Sequence, residues 1–497
     1  MQTWMTWWTQ TQGWALLPAG LFIGLAVVLM VVEAWRPEWL RWLYYGVVLC
    51  LIGLVFVTFR FLFNQRFVAF GNRLVLDNVT LLTLIMYVVA AAVVIIALGP
   101  VWEARPERSG SWMVLLLITL VGMGMMSGTS DVLVIFIGLE LLSLSLYVLI
   151  AYENPTEPAL ESALKYFLLG AFAAAVFAYG IALMYGAVGS TSLVDLAARL
   201  PDLRGSPRGW LAYLGLALML AGLAFEASAV PFHMWTPDVY QGAPTPTVAY
   251  MSAAVKAAAF GAMLRLFGDM VQVFRRTPDV WGWGLAGVAV LTMVVGNVLA
   301  LRQTNVKRLL AYSSIAHAGY ILIGLTAAGD AARESVLLYL LAYLFMNMGA
   351  FMVVAALEAW DIEPTLERYR SLGYRHPGWA LSLTLFFLAL AGIPPTAGFV
   401  AKLGVFRAAF QAGWPGLVVV GVVTSLIAAY YYFRVVWTMF EPPTADVRRS
   451  WKQEPTAPVV PVAGFALAVA LCLFFTLQMG VLPNRFAYLV RIAFASF

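Results

Sequence analysis

Charged residues are what this sequence has least of: 30 Lys and Arg with 25 Asp and Glu make up 11% of its 497 positions, against roughly 25% in an ordinary soluble domain. With 62% of the chain hydrophobic, there is too little polar surface to clothe a soluble fold, and the composition is that of a membrane protein. Cysteine is nearly absent as well. Cys50 and Cys472 each sit inside an apolar run with no His or Cys nearby, which argues against a disulfide, a zinc site or an iron–sulfur cluster. No glycine loop placed between strand and helix is available to cradle a phosphate; Gly122, Gly124 and Gly128 fall at a membrane helix and read as close helix packing. The expectation is therefore a chain with no metal or cofactor of its own. Its net charge of +5 is modest and its basic residues lie in loops, so nucleic-acid binding has no support and the lipid bilayer is the expected surrounding. Those loops carry similar numbers of Lys and Arg on the two faces, so the positive-inside bias does not orient the chain. No Lys or Arg precedes the first apolar run and no small-residue cleavage site follows it, which argues against a removed signal peptide. Trp4, Trp7, Trp8 and Trp14 read as an interfacial belt.

What the sequence does have is apolar runs of about 20 residues, the length a spanning helix needs. They recur about fourteen times and predict an all-α polytopic membrane protein with spans near 15–34, 42–63, 74–98, 112–128, 131–152, 160–188, 210–230, 245–267, 281–302, 307–328, 334–358, 379–408, 414–440 and 458–480. A last stretch, 484–497, mixes Arg485 and Arg491 with aromatic and aliphatic residues and is expected to lie along the interface.

Two of these spans are spoiled by proline. In AFEASAVPFHMWTPDVYQGAPTPT (224–247), Pro231 and Pro237 remove amide donors and clash with the preceding turn, so the helix is expected to open. The segment LAGIPPTAGFVAK (390–402), with Pro394, repeats the pattern. Such breaks are tolerated at membrane depth only where they line protein or water, and half-helix ends present partial charges that bind ions or tune a neighbour. ESALKY (161–166) at the start of the sixth span matches ESVLLY (334–339) at the start of the eleventh. Five spans separate the corresponding members, and an odd number inverts the second copy. Inverted repeats with discontinuous helices mark transporters; the alternative is chance similarity between apolar segments.

Five ionisable residues lie well inside apolar spans: Glu140, Glu226, Lys256, His317 and Lys402. A charge at mid-bilayer costs about 2.5–3.5 kcal/mol on insertion scales, so such residues are functional by default. Each has a quieter reading. Glu140 could be the structural partner of a lysine, the two lysines could snorkel to an interface, and His317 could be a satisfied core histidine. His233, in the first break, is as suited to capping carbonyls as to moving protons, and Lys165 and Asp77 lie nearer span ends. Taken together the five alternate in sign, with a histidine between two lysines. Desolvation penalises a protonated lysine and an opposing carboxylate restores it, so a moving neighbouring charge switches such groups and protons can pass between them.

The motifs ESALKYFLLGAF (161–172), WTPDVYQGAPTP (235–246), QTNVKRLLAYSSIAHAGY (303–320), YLLAYLFMNMGAF (339–351) and AGIPPTAGFVAKL (391–403) together resemble the subunit N family of bacterial NADH–quinone oxidoreductase, the antiporter-like membrane subunits of respiratory complex I. The resemblance is close over about 131–439. It implies fourteen helices, two inverted five-helix repeats, and broken seventh and twelfth helices. The implied division is a three-helix segment at 1–110, repeats at 111–270 and 280–441, and a C-terminal helix with an interfacial tail at 442–497. It further implies that Glu140, Lys256, His317 and Lys402 are the proton-path groups of the fifth, eighth, tenth and twelfth helices. Partner membrane and peripheral subunits would carry NADH, FMN, iron–sulfur clusters and quinone, and this chain would translocate protons in the cell inner membrane without redox chemistry of its own. The chain departs from the pattern at Glu226, where the family usually has a lysine that partners the fifth-helix glutamate. The expectation is then that Glu140 and Glu226 share a proton, with Lys165 as the favoured countercharge of Glu140 and Lys256 as the other candidate. The rival readings are a subunit of a multisubunit sodium/proton antiporter and a silent structural membrane subunit.

Overall fold

The computed structural model describes residues 12–104, 109–203, 205–269, 278–327, 329–445, 447 and 457–495; Trp4, Trp7 and Trp8 lie outside them. Among the described residues, thirteen helices are long and apolar enough to cross a membrane. In chain order they are α1 (Gln12–Trp35), α2 (Leu40–Val57, prolonged by a wide turn at Thr58–Leu62), α3 (Asn78–Ala104), α4 (Ser109–Ser127), α5 (Val132–Glu153), α6 (Glu157–Val188) and α7 (Pro207–Glu226). After them come α8, α9 (Pro278–Ala300), α10 (Val306–Thr326) and α11 (Asp330–Glu358). The span α8 starts as Thr245–Tyr250, passes through one π-type turn at Met251–Val255 and continues as Lys256–Asp269. A fourteenth span, α12, is made of two shorter helices, Pro377–Ala391 and Ala397–Gln411. It is followed by α13 (Pro415–Phe440) and α14 (Ala463–Val481). The three helices α8, α10 and α11 are enclosed almost completely and form the middle of the molecule, whereas α1, α2, α6 and α13 keep broad apolar faces outward.

Close approach between neighbours follows from glycine. A Cβ on Gly122 of α4 would come within 2.6 Å of the Gly138 carbonyl on α5, and one on Gly138 would meet the Gly122 carbonyl at the same distance. Only hydrogen fits at either position, as in small-residue packing of membrane helices.

Several boundaries differ from the sequence reading by a few residues, three of them for a visible reason. The third span starts at Asn78 rather than 74, because Leu74–Leu76 forms a strand (β2) paired antiparallel with Phe67–Ala69 (β1). Gly71 and Asn72 take positive φ in the turn between them, and Asp77 then accepts from the Thr80 amide at 3.0 Å, an N-cap that starts the helix. The seventh span stops at Glu226, four residues early, for reasons given below. The C-terminal stretch forms helix α15 (Pro483–Ala495), docked on protein with Val490 and Ala493 buried. Asn78 at the start of α3 donates to its Ile492 carbonyl at 3.2 Å, and Arg491 lies 3.9 Å from Glu334 at the start of α11.

Candidate functional site

The two interrupted helices are closed by the same backbone device. In α7 the chain turns at Ser228 (φ 61°), whose amide donates to the Phe225 carbonyl while Ala229 N donates to Ala224 O at 2.8 Å. In α12 it turns at Gly392 (φ 86°), whose amide donates to Ala389 O while Ile393 N donates to Leu388 O at 3.0 Å. This is the left-handed residue with paired back-bonds that ends helices generally. Each turn is followed by a cis X–Pro bond, Val230–Pro231 and Pro394–Pro395. The left-handed residues fix the correspondence: Pro231 matches Pro395 rather than Pro394, Glu226 matches Leu390, and Lys402 matches Asp238.

Pro237 does not open the helix as expected. It sits in the first turn of the short helix Trp235–Gly242, where its missing N–H has no intrahelical partner to lose. Pro244 and Pro246 likewise fall at the start of α8. The polar groups freed by the first break are satisfied locally. Trp235 Nε1 donates to Phe225 O at 3.1 Å, and Thr292 Oγ1 on α9 accepts from Val230 N at 3.0 Å. His233 lies within the break against the Pro231 backbone, and its buried Nδ1 has no hydrogen-bond partner among the described residues.

Glu226 ends the first half of α7 and is 2% exposed. Its Oε1 accepts from Ser143 Oγ of α5 at 3.0 Å, and its Oε2 accepts from Tyr166 OH of α6 at 3.2 Å. Tyr166 stacks on Trp235, which meets Tyr240 edge-on. Tyr240 approaches Ser314 of α10. There Lys256 of α8, immediately after the π-type turn, donates from Nζ to the Ser314 carbonyl at 2.6 Å and to its hydroxyl at 2.7 Å, with the Tyr343 ring 5.7 Å away. One turn further along α10, His317 Nδ1 shares a 2.8 Å hydrogen bond with Tyr339 OH, the tautomer deciding which donates. His317 Nε2 is buried with no hydrogen-bond partner among the described residues, and its ring contacts Tyr320 and Tyr343. Both Lys256 and Lys402 are electrostatic neighbours of His317. Lys402 donates to Ala391 O at 3.1 Å, the carbonyl that ends the first half of α12, and lies 4.7 Å from the Tyr320 ring centre. The structure thus brings Glu226, Lys256, His317 and Lys402 onto one buried row of hydroxyls and rings across the middle of the bundle. Lys256 and Lys402 are 1% and 5% exposed, so neither snorkels.

Two expected pairings are absent. Lys165 does not meet Glu140: it bonds Glu161 at 2.6 Å and Asp238 at 3.1 Å, because it lies about two turns into α6, beside the polar cavity described below. Glu140 and Glu226 are electrostatic neighbours, but no hydrogen bond joins them, since both Glu226 oxygens are taken by hydroxyls. Glu140 is partly exposed and makes no hydrogen bond or ion pair among the described residues.

Other groups were not legible as partners. Arg265 on α8 forms a bidentate ion pair with Asp77, Nη1 donating to Oδ2 at 2.7 Å and Nη2 to Oδ1, and its Nε donates to the Ser127 carbonyl at 2.7 Å. Arg265 was hidden near a span end, and no spacing in the sequence links it to Asp77. Ser143, Ser314, Tyr320, Tyr339 and Tyr343 were visible only as helical neighbours, three or four residues from a charged or histidine side chain or from each other, and Tyr166 not even by that spacing.

At one face, a cavity of about 440 Å³ is lined by Glu161, Lys165, Asp238, Lys307, Arg308 and Glu358 among others. Partial burial disfavours the Asp238 charge, but Arg308, 2.6 Å away, and Lys165 outweigh it and hold the carboxyl below the usual carboxylate range. Among the described residues no group of three or more His, Cys, Asp or Glu is placed to hold a metal ion, and Cys50 and Cys472 are free thiols.

With this geometry in hand, comparison with known proteins is specific. The family described as "NADH:quinone oxidoreductase/Mrp antiporter, TM" matches residues 129–428. NADH-quinone oxidoreductase subunit N of Trichlorobacter lovleyi is 39% identical over 476 residues, covering 94% of this chain and 94% of that protein. The protein of the same name from Salinibacter ruber is 46% identical over 366 residues, 73% of this chain and 72% of its own length. Among solved structures, a chain of respiratory complex I from Thermus thermophilus with bound aureothin superposes with a TM-score of 0.75 at 35% identity, over 94% of this chain and 97% of that one.

Proposed function

The chain belongs to the NADH:quinone oxidoreductase/Mrp antiporter transmembrane family, and from that premise we propose that it is the proton-translocating subunit N of a bacterial NADH:quinone oxidoreductase in the cell inner membrane. Partner subunits carry NADH, FMN, the iron–sulfur clusters and quinone, and this chain moves protons with no redox chemistry of its own. In this reading 111–270 and 280–441 are inverted repeats, each with one broken helix, flanked by 1–110 and 442–497. The matching hydrogen bonds at Ser228 and Gly392 support that division.

The observation that carries the reading is the kind of partner the buried titratable groups have. Arg265 and Asp77 neutralise each other in a buried ion pair. Among the described residues, Glu226, Lys256 and Lys402 instead make their hydrogen bonds and ring contacts with neutral groups: hydroxyls, carbonyls and tyrosine faces. A buried charge without a counter-ion has its proton equilibrium set by whatever neighbouring charge is present. Glu226 loads and releases a proton beside the first break. Lys256 holds the centre, passing its proton along Ser314 towards His317, whose two nitrogens accept on one side and donate on the other. Lys402 takes it at the second break, where the Ala391 carbonyl stabilises the ammonium. Tyrosine and serine hydroxyls between them rotate without changing charge and serve as links. Lys165 and His233 lie beside this row and support it, Lys165 by fixing Asp238.

Lys256→Ala and Lys402→Ala in the assembled complex, reconstituted in vesicles, test this. Proton uptake driven by NADH falls several-fold in each while the complex still assembles, since each change removes a switchable charge together with its burial cost. Wild-type uptake in either variant contradicts the assignment.

A further inference from the structure

Between the first half of α7 and α9 the bundle is open at its side. A cavity of about 540 Å³ lies there, with apolar walls: Ala217 and Ala221 on α7, Gly284 and Val288 on α9. Trp210 and Tyr213, near the amino end of α7, bound one end of it, and Ala229 and Phe232, just past the Ser228 turn, bound the other. Its floor is Met263 and Leu322, which are buried and belong to α8 and α10, two of the three enclosed helices. Leu211 and Leu214 stand exposed beside its mouth. The cavity thus runs inward from the apolar outer surface to the middle of the molecule, at the depth of the first break.

Ordered water does not fill such a space, because a water needs about two to four polar partners and the wall and floor side chains offer none. Shape then decides between a helix and a hydrocarbon chain. From Trp210 to Ala224, both in the lining, α7 advances about 21 Å at about 1.5 Å per residue. Spread over that length, 540 Å³ leaves a cross-section of about 25 Å², whereas a helix about 10 Å across needs roughly 80 Å². The space admits a single extended chain of methylene groups and excludes a helix. We propose that this groove binds one phospholipid, with an acyl chain laid along α7 from the Trp210 end to the Ser228 turn. Trp210 and Tyr213 set the headgroup at their end, since amphipathic rings sit at headgroup level, and the positive end of the α7 dipole favours its phosphate. The tail covers the outer side of the break with hydrocarbon, so water has no approach to the interrupted backbone from the membrane side.

This inference is independent of which ion the chain moves, and its test needs no turnover. The probe is a phosphatidylglycerol with a diazirine at the end of one acyl chain, mixed into vesicles of unlabelled phosphatidylethanolamine and phosphatidylglycerol that hold the intact complex. After irradiation, mass spectrometry should find adducts at Met263 or Leu322, which a lipid outside the groove does not reach. Label confined to outward side chains such as Leu211 and Leu426 overturns the proposal. A Cβ on Gly284 meets nothing within 4 Å, so Gly284→Leu is accommodated and takes the space of the tail. Label at Met263 and Leu322 should fall several-fold in that variant while label at Leu426 on α13 stays constant; undiminished label at Met263 contradicts the groove. Competition in the wild-type complex decides the matter even where the variant assembles poorly. Excess unlabelled phosphatidylglycerol should remove the Met263 label, and an equal excess of a long-tailed quinone should leave it in place. Displacement by the quinone overturns the assignment to a phospholipid.

Discussion

The two broken helices share a backbone and differ in charge. Both end in a left-handed residue with the same pair of hydrogen bonds, so the half-helix dipole leaves a partial negative charge at each C-terminus. In α12 that charge faces a cation, since Lys402 reaches back across the break to the Ala391 carbonyl. In α7 it faces Glu226, a carboxyl at the end of the same kind of helix, which the dipole repels when ionised. The position that corresponds to Lys402 is Asp238, which has left the row and pairs with Lys165 and Arg308 at the polar cavity. The comparison teaches that two breaks can share one backbone device, and that the chemistry is written on it by single residues. One break is arranged to hold a proton on nitrogen, the other to hold one on oxygen.

Fully paired charges give the sharpest contrast and the largest expected effect. Arg265→Met leaves Asp77 buried without its counter-ion, held by Thr80 alone, which costs about 3–5 kcal/mol for such a pair, and the yield of folded, assembled complex should collapse. Arg265→Met with Asp77→Leu should recover assembly and leave proton uptake near normal, as gel filtration and vesicle assays together would reveal; a loss of pumping in the recovered double variant would place this pair in the path. A smaller effect is expected at the first break. Tyr166→Phe removes one of the two hydroxyls on Glu226, about 1 kcal/mol for a typical hydrogen bond, and should slow proton uptake modestly without changing assembly, whereas an unchanged rate would mean that Tyr166 only packs.

The smallest effect belongs to Asp238, whose partners are partly exposed and screened. Its carboxyl is depressed in the folded protein, so the stabilisation is present above the ordinary carboxylate range and is lost as pH falls through the folded value. Asp238→Asn should therefore lower the unfolding midpoint slightly at neutral pH, and the gap to wild type should close in acid. A gap that widened in acid would contradict the assignment of Arg308 and Lys165 as the stabilising partners.

The span count was legible because a bilayer-crossing helix announces itself by length and hydropathy alone. The charges were legible for a related reason: an ionisable residue in an apolar run has no cheap explanation. Which groups face one another was not. Lys165 reads as a membrane lysine next to Glu140 in span order, yet a position about two turns from the start of α6 puts its ammonium at the polar face with Asp238. Glu140 reads as an internal partner, yet its phase along α5 places it on the outer stripe with Ile137 and Leu144. Both errors come from reading depth from the sequence without rotation about the helix axis. Pro237 misled in another way, since proline breaks a helix from its interior and begins one from its first turn, and only the backbone tells which. The strand pair at 67–76 is too short and too apolar to separate from the span that follows it.

The central claim is that Glu226 carries a proton at the first break with neutral partners only. Glu226→Gln keeps an acceptor for one of the hydroxyls and keeps the volume, while removing the group that titrates, so assembly is preserved. Measured as protons taken up per NADH oxidised by the intact complex in sealed vesicles, the account predicts a ratio clearly below wild type with quinone reduction retained. A wild-type ratio in Glu226→Gln would show that the carboxyl is structural, and the account of the first break would fall.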